Sequence, residues 1–358
     1  MSVNGLRDRN GEGNTVVAFL GPEATYTHQA TLSLFPSSTY TLLPQHTIAD
    51  VFTSVQTGIA HRGVVPFENS TNGSVVFTLD LFADPSSTHP DILVSGEVYV
   101  SVHHCLVGHA QPTLPSTPEK GTKFPEIKKL YSHPQAWGQC TSFLNANFKG
   151  TERQDVSSTS RAAELVAQDP TRSSAAVSSA LAAKMHGLEV LAPGIEDRAD
   201  NTTRFFVIRK KSPHQSSAPP SPSNPPTLST SPSTSKTLLS FTVCHTNPGA
   251  LAQSLSVFAR HGINLTSINT RPSGVQKWNY IFFVEIQGSR GEEGVENALR
   301  DLEGVCRGWR WLGSWGEGDD REELGWVGLG WLVGGDGKHG DYELSSIDAF
   351  AEEGSCRQ

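Results

Sequence analysis

Asp200-Asn201-Thr202-Thr203-Arg204-Phe205-Phe206-Val207-Ile208 opens polar and runs straight into four apolar residues. A run of this shape reads as a loop that delivers small hydroxyl and amide side chains to the mouth of a buried strand. The plainer alternative is a strand start with a capping threonine and a surface arginine. Working outward to the N-terminal side, Val16-Val17-Ala18-Phe19-Leu20 is a second continuous apolar run, ended by Gly21-Pro22. It suits a strand buried on both faces of a parallel sheet. Thr25 to Phe35 follows as a helix, so Thr25 and Thr27 bring hydroxyls to a helix start, a ready anion site. Thr47 to Val55 is a further helix: Thr47 caps it, Asp50 sits three positions on, and Ile48, Val51, Phe52 and Val55 share one face. Gly63 to Phe67 is a short apolar strand that delivers Glu68-Asn69-Ser70-Thr71-Asn72-Gly73 into a turn, and Val75 to Phe82 continues as a helix. Such a polar turn could be merely solvated. Its place at the carboxyl end of a buried strand is, however, where open α/β sheets bind ligands.

Between these stretches, Ile92 to Leu106 alternates as a strand and ends in His103-His104-Cys105. With His109 this invites a zinc reading, but the spacing matches no standard site and no second ligand cluster exists. Ile127 to Tyr131 reads as a strand. Ser132-His133-Pro134 then opens a helix, with Pro134 suited to its first position. Ala136, Trp137, Cys140, Phe143 and Leu144 form its buried stripe, while Gln135 and Gln139 sit one turn apart on another face. His133 is either a general base or a helix-entry residue bonded to backbone. Ser157 to Ser160 precede a helix over Ala162 to Ala167; Ala175 to Val177 and Leu188 to Leu191 are strands around a helix from Ala180 to His186.

At 358 residues the chain has room for two or three domains, and its formal charge of -8 points to neither nucleic acid nor an anionic membrane. No window is apolar and long enough to span a bilayer, and the N-terminus lacks the apolar core of a signal peptide. The five cysteines are scattered and odd in number, which fits reduced thiols in the cytoplasm. Residues 211–236 are dense in Ser and Pro and are expected to form a flexible linker. Beyond it, strands over Thr237 to Cys244, Ile263 to Ile268, Tyr280 to Ile286 and Trp309 to Trp315 alternate with helices after Gly249 and over Val295 to Leu302. That βαββαβ order predicts a small α+β, ferredoxin-like domain. The Gly-rich, acidic stretch 317–358 is expected to be a poorly ordered tail, as is the polar start, 1–14.

Four windows occur in order: Gly21-Pro-Glu-Ala-Thr-Tyr-Thr-His28, Val65-Pro-Phe-Glu-Asn-Ser-Thr-Asn-Gly73, Tyr131-Ser-His-Pro-Gln-Ala-Trp-Gly-Gln-Cys140 and Thr203-Arg204-Phe205. Together they resemble the prephenate dehydratase family, over roughly Val16 to Ile208. Thr237 to about Trp315 resembles the ACT regulatory domain that follows in that family. The resemblance implies a catalytic domain over 15–210 of two α/β lobes, like a periplasmic binding protein, with the site between them. Lobe 1 is expected at about 15–100 and 191–210, lobe 2 at about 101–190, and the ACT domain at 237–316. It implies a carbon–oxygen lyase that removes water and CO2 from prephenate to give phenylpyruvate in phenylalanine biosynthesis, with no cofactor and no metal. It assigns catalysis to Thr203 and substrate binding to Thr25, Asn69, Ser70, Ser132, Gln135, Gln139, Thr159 and Arg204. Glu68 and His133 are further acid/base candidates. Arg204 is either a carboxylate clamp or a member of a structural ion pair. Gly249-Ala250-Leu251 and Arg271-Pro272 are the expected phenylalanine contacts, and a homodimer or homotetramer is implied. Arogenate dehydratase and a non-catalytic amino-acid sensor are the rival readings. The sequence departs from the family at Ala24, where Gly is usual, at Ser157, where Glu is often seen, and at Asn269-Thr270, where Glu-Ser is usual.

Overall fold

The computed structural model describes residues 15–109, 124, 127–211 and 235–316. The expected tails, 1–14 and 317–358, and most of the expected linker, 212–234, lie outside them.

The first lobe is built from β1 (Val16–Leu20), α1 (Tyr26–Leu34), β2 (Thr41–Gln45), α2 (Ile48–Gln56), β3 (Arg62–Asn69), β4 (Gly73–Ser74), α3 (Val76–Ala83) and β5 (Ile92–Ser101). The chain later returns as β11 (Thr202–Lys210), and the sheet runs β2-β1-β3-β11-β5 with β4 on β3. β1 pairs in parallel with β2 and β3, whereas β11 is antiparallel to both its neighbours. The apolar run of β11 is therefore central, and Phe205 to Ile208 are almost fully buried. α2 carries the expected capping box, with Thr47 and Asp50 each accepting the other's backbone N–H at 3.1 and 3.0 Å. The stretch that forms β2 was not expected to be an element, and it contains Pro44. As an edge strand it needs no second ladder partner, which is where proline is tolerated.

The second lobe contains β6 (Cys105–Gly108), β7 (Lys129–Ser132), α4 (Pro134–Gln139), α5 (Thr141–Asn147), β8 (Glu152–Asp155), α6 (Thr159–Ala167), β9 (Ser174–Ser178), α7 (Ala180–His186) and β10 (Glu189–Ala192). Its sheet order is β10-β6-β9-β7-β8. Two details differ from expectation. β10 belongs to this second sheet, so the return to the first comes at Thr202 rather than near Leu191. The helix after Ser132 is also two helices, because Cys140 leaves helical geometry at φ -128°, ψ 26°. Its apolar stripe nevertheless stays together, with Ala136, Cys140, Leu144 and Phe148 in one core.

The third sheet follows the expected βαββαβ order: β12 (Lys236–Thr242), α8 (Ala250–Arg260), β13 (Leu265–Pro272), β14 (Tyr280–Gln287), α9 (Glu293–Val305) and β15 (Gly308–Trp315). It is arranged β13-β14-β12-β15. One face buries Leu239, Phe241 and Val284 against Val257, Phe258, Leu299 and Leu302 of the two helices. The other face joins the first lobe: Leu238, Phe283, Leu312 and Trp315 share a core with Val65, Phe67, Phe82 and Phe206. Gly313, at φ 136°, makes this approach possible. A Cβ there would lie 2.0 Å from the Val94 carbonyl oxygen, so only glycine fits.

Candidate active site

A cavity of about 580 Å³ opens between the two lobes. The first lobe contributes Thr25 to Thr27, Asn69, Asn72 to Phe77, Asn201 and Thr203; the second contributes His104, His133, Gln135, Gln139 and Ser157 to Thr159. Among the described residues that line it, none is Asp, Glu, Lys or Arg. Its polarity comes from neutral side chains and helix starts.

The polar floor is set by strand pairing. Thr203 and Asn69 are direct partners on β11 and β3, so their side chains share one face. The Asn69 carbonyl oxygen accepts the backbone N–H groups of Thr71 and Asn72 at 3.0 and 2.9 Å. Those donors fix which end of the amide is which. The Asn69 amide nitrogen must then face the other way, and it donates to Asn201 Oδ1 at 2.7 Å and to Thr203 Oγ1 at 2.9 Å. Asn201, 2% exposed, was missed as a site residue. Its signal lay in the polar opening of the decisive stretch, where a buried amide needs a polar partner.

On the opposite wall, Gln139 Oε1 lies 2.7 Å from His104 Nε2. Tyr26 donates its hydroxyl to the His103 carbonyl at 2.9 Å and lies 3.3 Å from His104 Nδ1. Burial holds His104 below the usual histidine range and pushes the Tyr26 hydroxyl far above its ordinary one. Both are therefore neutral near pH 7. Thr25 caps α1 by accepting the His28 N–H at 3.2 Å, and Ser158 caps α6 by accepting from Arg161 at 3.0 Å. Both helix starts face the cavity, with Thr159 beside Ser158. His133 caps α4 through its ring, accepting the Gln135 N–H at 3.3 Å, and burial lowers its affinity for a proton. Ala24, which precedes this α1 start, takes the left-handed φ of 63° that a glycine would adopt freely.

The structure thus brings Thr25, Asn69, His133, Gln135, Gln139, Thr159 and Thr203 to one cavity. Four expected residues do not line it. Ser132 is buried in β7 and donates to the Val177 carbonyl at 2.7 Å. Ser70 braces the chain instead, accepting the Thr202 N–H at 2.9 Å and donating to the Asp200 carbonyl at 3.3 Å. Glu68 and Arg204 are paired on β3 and β11, one residue along from Asn69 and Thr203, which turns them to the other face of the sheet. There Arg204 is bonded to Glu97 and Glu285, so it is no carboxylate clamp. Among the described residues no three His, Cys, Asp or Glu side chains gather as metal ligands.

A second cavity, of about 470 Å³, lies in the C-terminal domain and is lined by Gly249, Ala250 and Leu251 with Val243, Leu255 and Phe282. Arg271 and Pro272 lie elsewhere. Arg271 is bonded to Asp80 of α3 at 2.5 and 3.0 Å, so β13 grips the first lobe and those two residues are not contacts of this cavity.

Residues 17–213 match the family model described as prephenate dehydratase, and residues 237–304 match that of the ACT domain. A bifunctional chorismate mutase/prephenate dehydratase of Aquifex aeolicus is 38% identical over 299 residues, covering 84% of this chain and 73% of that protein. The crystal structure of a prephenate dehydratase from Arthrobacter aurescens in complex with L-Phe aligns with a TM-score of 0.69 at 28% identity, covering 86% of this chain and 91% of that one. GqqA, described as a novel type of quorum-quenching acylase, aligns with a TM-score of 0.66 at 27% identity over 84% of this chain and 97% of that one.

Proposed function

The chain belongs to the prephenate dehydratase family, and from that premise we propose that Thr203 drives the decarboxylating dehydration of prephenate in the interlobe cavity. Prephenate carries two carboxylates and a ring hydroxyl on a non-aromatic ring. Departure of CO2 and hydroxide leaves an aromatic ring, so the reaction is strongly downhill. The protein has to hold the dianion, align the two leaving groups and assist the departing oxygen.

The orientation of Asn69 carries this reading. With its amide nitrogen donating to Thr203 Oγ1, one lone pair of that oxygen is occupied and the threonine hydrogen is left to donate into the cavity. A threonine hydroxyl is too weak an acid to surrender its proton outright at neutral pH. It acts instead as a preoriented hydrogen-bond donor to the oxygen as charge develops there. The amides of Gln135 and Gln139 and the starts of α1 and α6, with Thr25 and Thr159, supply neutral donors for the two carboxylates. The loss of CO2 and hydroxide balances without an external oxidant or reductant.

Arogenate, which carries an ammonium group where prephenate has a keto oxygen, is the rival substrate; the neutral lining offers neither a carboxylate for that ammonium nor a cation for the carboxylates the two share. Acyl-amide hydrolysis would need a base beside the nucleophile, and the partner of Thr203 is an amide donor. Phenylalanine is the proposed effector, in the cavity around Gly249 to Leu251. A cytoplasmic homo-oligomer completes the reading: β13 is an edge strand of its sheet, open to pairing with a second copy.

The test is the purified chain with prephenate and, separately, arogenate, followed by phenylpyruvate or phenylalanine release with and without a chelator. The expected result is prephenate turnover that survives chelation, is suppressed by phenylalanine, and exceeds arogenate turnover about tenfold or more in kcat/KM. Binding without turnover would favour a sensor, and a preference for arogenate would overturn the substrate assignment.

A further inference from the structure

Glu285 lies on β14 of the ACT sheet and is 1% exposed. Its Oε2 accepts from Arg204 Nη2 at 2.5 Å and its Oε1 from the Thr266 hydroxyl at 2.6 Å. Arg204, 7% exposed, also donates through Nε to Glu97 Oε2 at 2.7 Å. Lys236, at the start of β12, donates to the other oxygen of Glu97 at 2.8 Å. Two acids and two bases thus close a neutral cluster across the boundary between catalytic and regulatory domains. The guanidinium lies 4.9 Å from the Phe206 ring centre and 5.4 Å from that of Phe67. Burying Arg204 and Glu285 is a poor source of stability, because desolvation offsets most of their attraction. What the cluster does supply is a defined position for Arg204.

That position matters because of what happens beside it. The β11–β3 ladder pairs Thr203 with Asn69 and Arg204 with Glu68, then slips register before Phe205. The slip leaves Phe67 of β3 unpaired and bends that strand, so although β11 keeps its register with β5 from Thr202 to Val207, the β3 ladder does not by itself fix where Thr203 sits against Asn69. Arg204 is held at the slip from one face of the sheet, and Thr203 faces the substrate from the other.

Resting on the dehydratase reading, we propose that Glu285, a residue of the regulatory domain, is a positioning residue for the dehydration. By gripping Arg204 it fixes β11 at the slip, and with it the point where Thr203 Oγ1 meets the departing oxygen. β14 also carries Phe282, which lines the effector cavity from the opposite face of the same sheet. One strand therefore touches both the effector cavity and the anchor of Thr203.

The experiment compares full-length wild type, Glu285→Gln and the double replacement Arg204→Met/Glu285→Met in steady-state prephenate turnover. Glu285→Gln keeps the size and a carbonyl acceptor but removes the charge. The double variant refills the site with apolar side chains and leaves the Glu97–Lys236 pair in place, so it stays folded where the single variant fails. In both, kcat is expected to fall about tenfold or more while KM stays within about threefold, since an anchor displaced by about 1 Å costs turnover before it costs binding. A purely structural role would lower the melting temperature and leave kcat per folded molecule unchanged. Wild-type kcat, within twofold, in folded Glu285→Gln or in the double variant overturns the proposal. Lack of turnover in the unmodified chain overturns the dehydratase reading itself, and this inference with it.

Discussion

The first lobe has two neighbours, and it meets them in opposite ways. Against the second lobe it presents mostly hydroxyls, amides and imidazoles, with single hydrogen bonds such as Ser160 to the Glu23 carbonyl and Tyr26 to the His103 carbonyl, and one small apolar contact, Ala24 against Cys105 and Val107. Against the ACT sheet it presents Phe67, Phe82 and Phe206, locked to Phe283, Leu312 and Trp315. Water can replace a hydrogen bond at little net cost, whereas exposing close-packed apolar surface costs about 25 cal/mol per Å². The polar joint can open to admit a substrate. The apolar one cannot part without unfolding what it joins. The ACT domain of this chain is therefore also part of the first lobe's interior.

The strongest way to break the comparison is to hollow out the apolar joint. Trp315→Ala removes a side chain that is 1% exposed and sits 5.4 Å from the Phe206 ring. It should cost about 3–5 kcal/mol in a denaturant titration. The wild type should unfold the first lobe and ACT domain in one transition; two separate transitions would refute the shared core. Thr203→Val acts on the polar joint instead. It should lower kcat about 10²–10³-fold, measured by phenylpyruvate formation, with little change in melting temperature.

Acid should also act on the polar joint. Burial holds His104, which lines the cleft, below the ordinary histidine pKa, and does the same to His28 and His89 inside the first lobe. Below about pH 6.5 the unfolded chain binds protons that the folded chain refuses. Their contribution is thus complete above that pH and is lost as the pH falls toward the depressed folded values. The melting temperature should drop between pH 7.5 and 5.5, by about 2–4 °C for each kcal/mol lost; a flat or rising profile would contradict the assignment. The smallest effect is expected at the rim. Ala24→Gly relieves a left-handed alanine worth about 1 kcal/mol but gives up a buried methyl and gains unfolded-state freedom of similar size. Its net change in unfolding free energy should stay within about 1 kcal/mol.

Much of the fold was legible in the chain because periodicity and capping act locally. The Thr47–Asp50 box and the βαββαβ order were visible, and so was the delivery of Asn69 and Thr203 to one sheet end. What escaped notice depends on distant partners. The β8 residues Glu152 to Asp155 are all exposed and show no apolar alternation, so only pairing with β7 makes them a strand. Arg204 reads as a clamp until Glu97 and Glu285 appear, one from each domain. Ser70 and Ser132 sit within reach of the cavity in sequence, yet each is spent on a backbone group. Alternation along β3 and β11 would have separated Glu68 and Arg204 from their productive neighbours, had the cavity-facing parity been known.

Gly313 carries a practical consequence for anyone wishing to cut the ACT domain from this enzyme. Because β15 rides directly on the Val94 backbone, trimming the chain to remove the ACT domain would strip the lid from the first lobe's own interior. If phenylalanine acts at the cavity around Gly249 as proposed, desensitised versions should instead arise as single replacements lining it, and screens for overproducing strains should recover missense changes there rather than early stop codons.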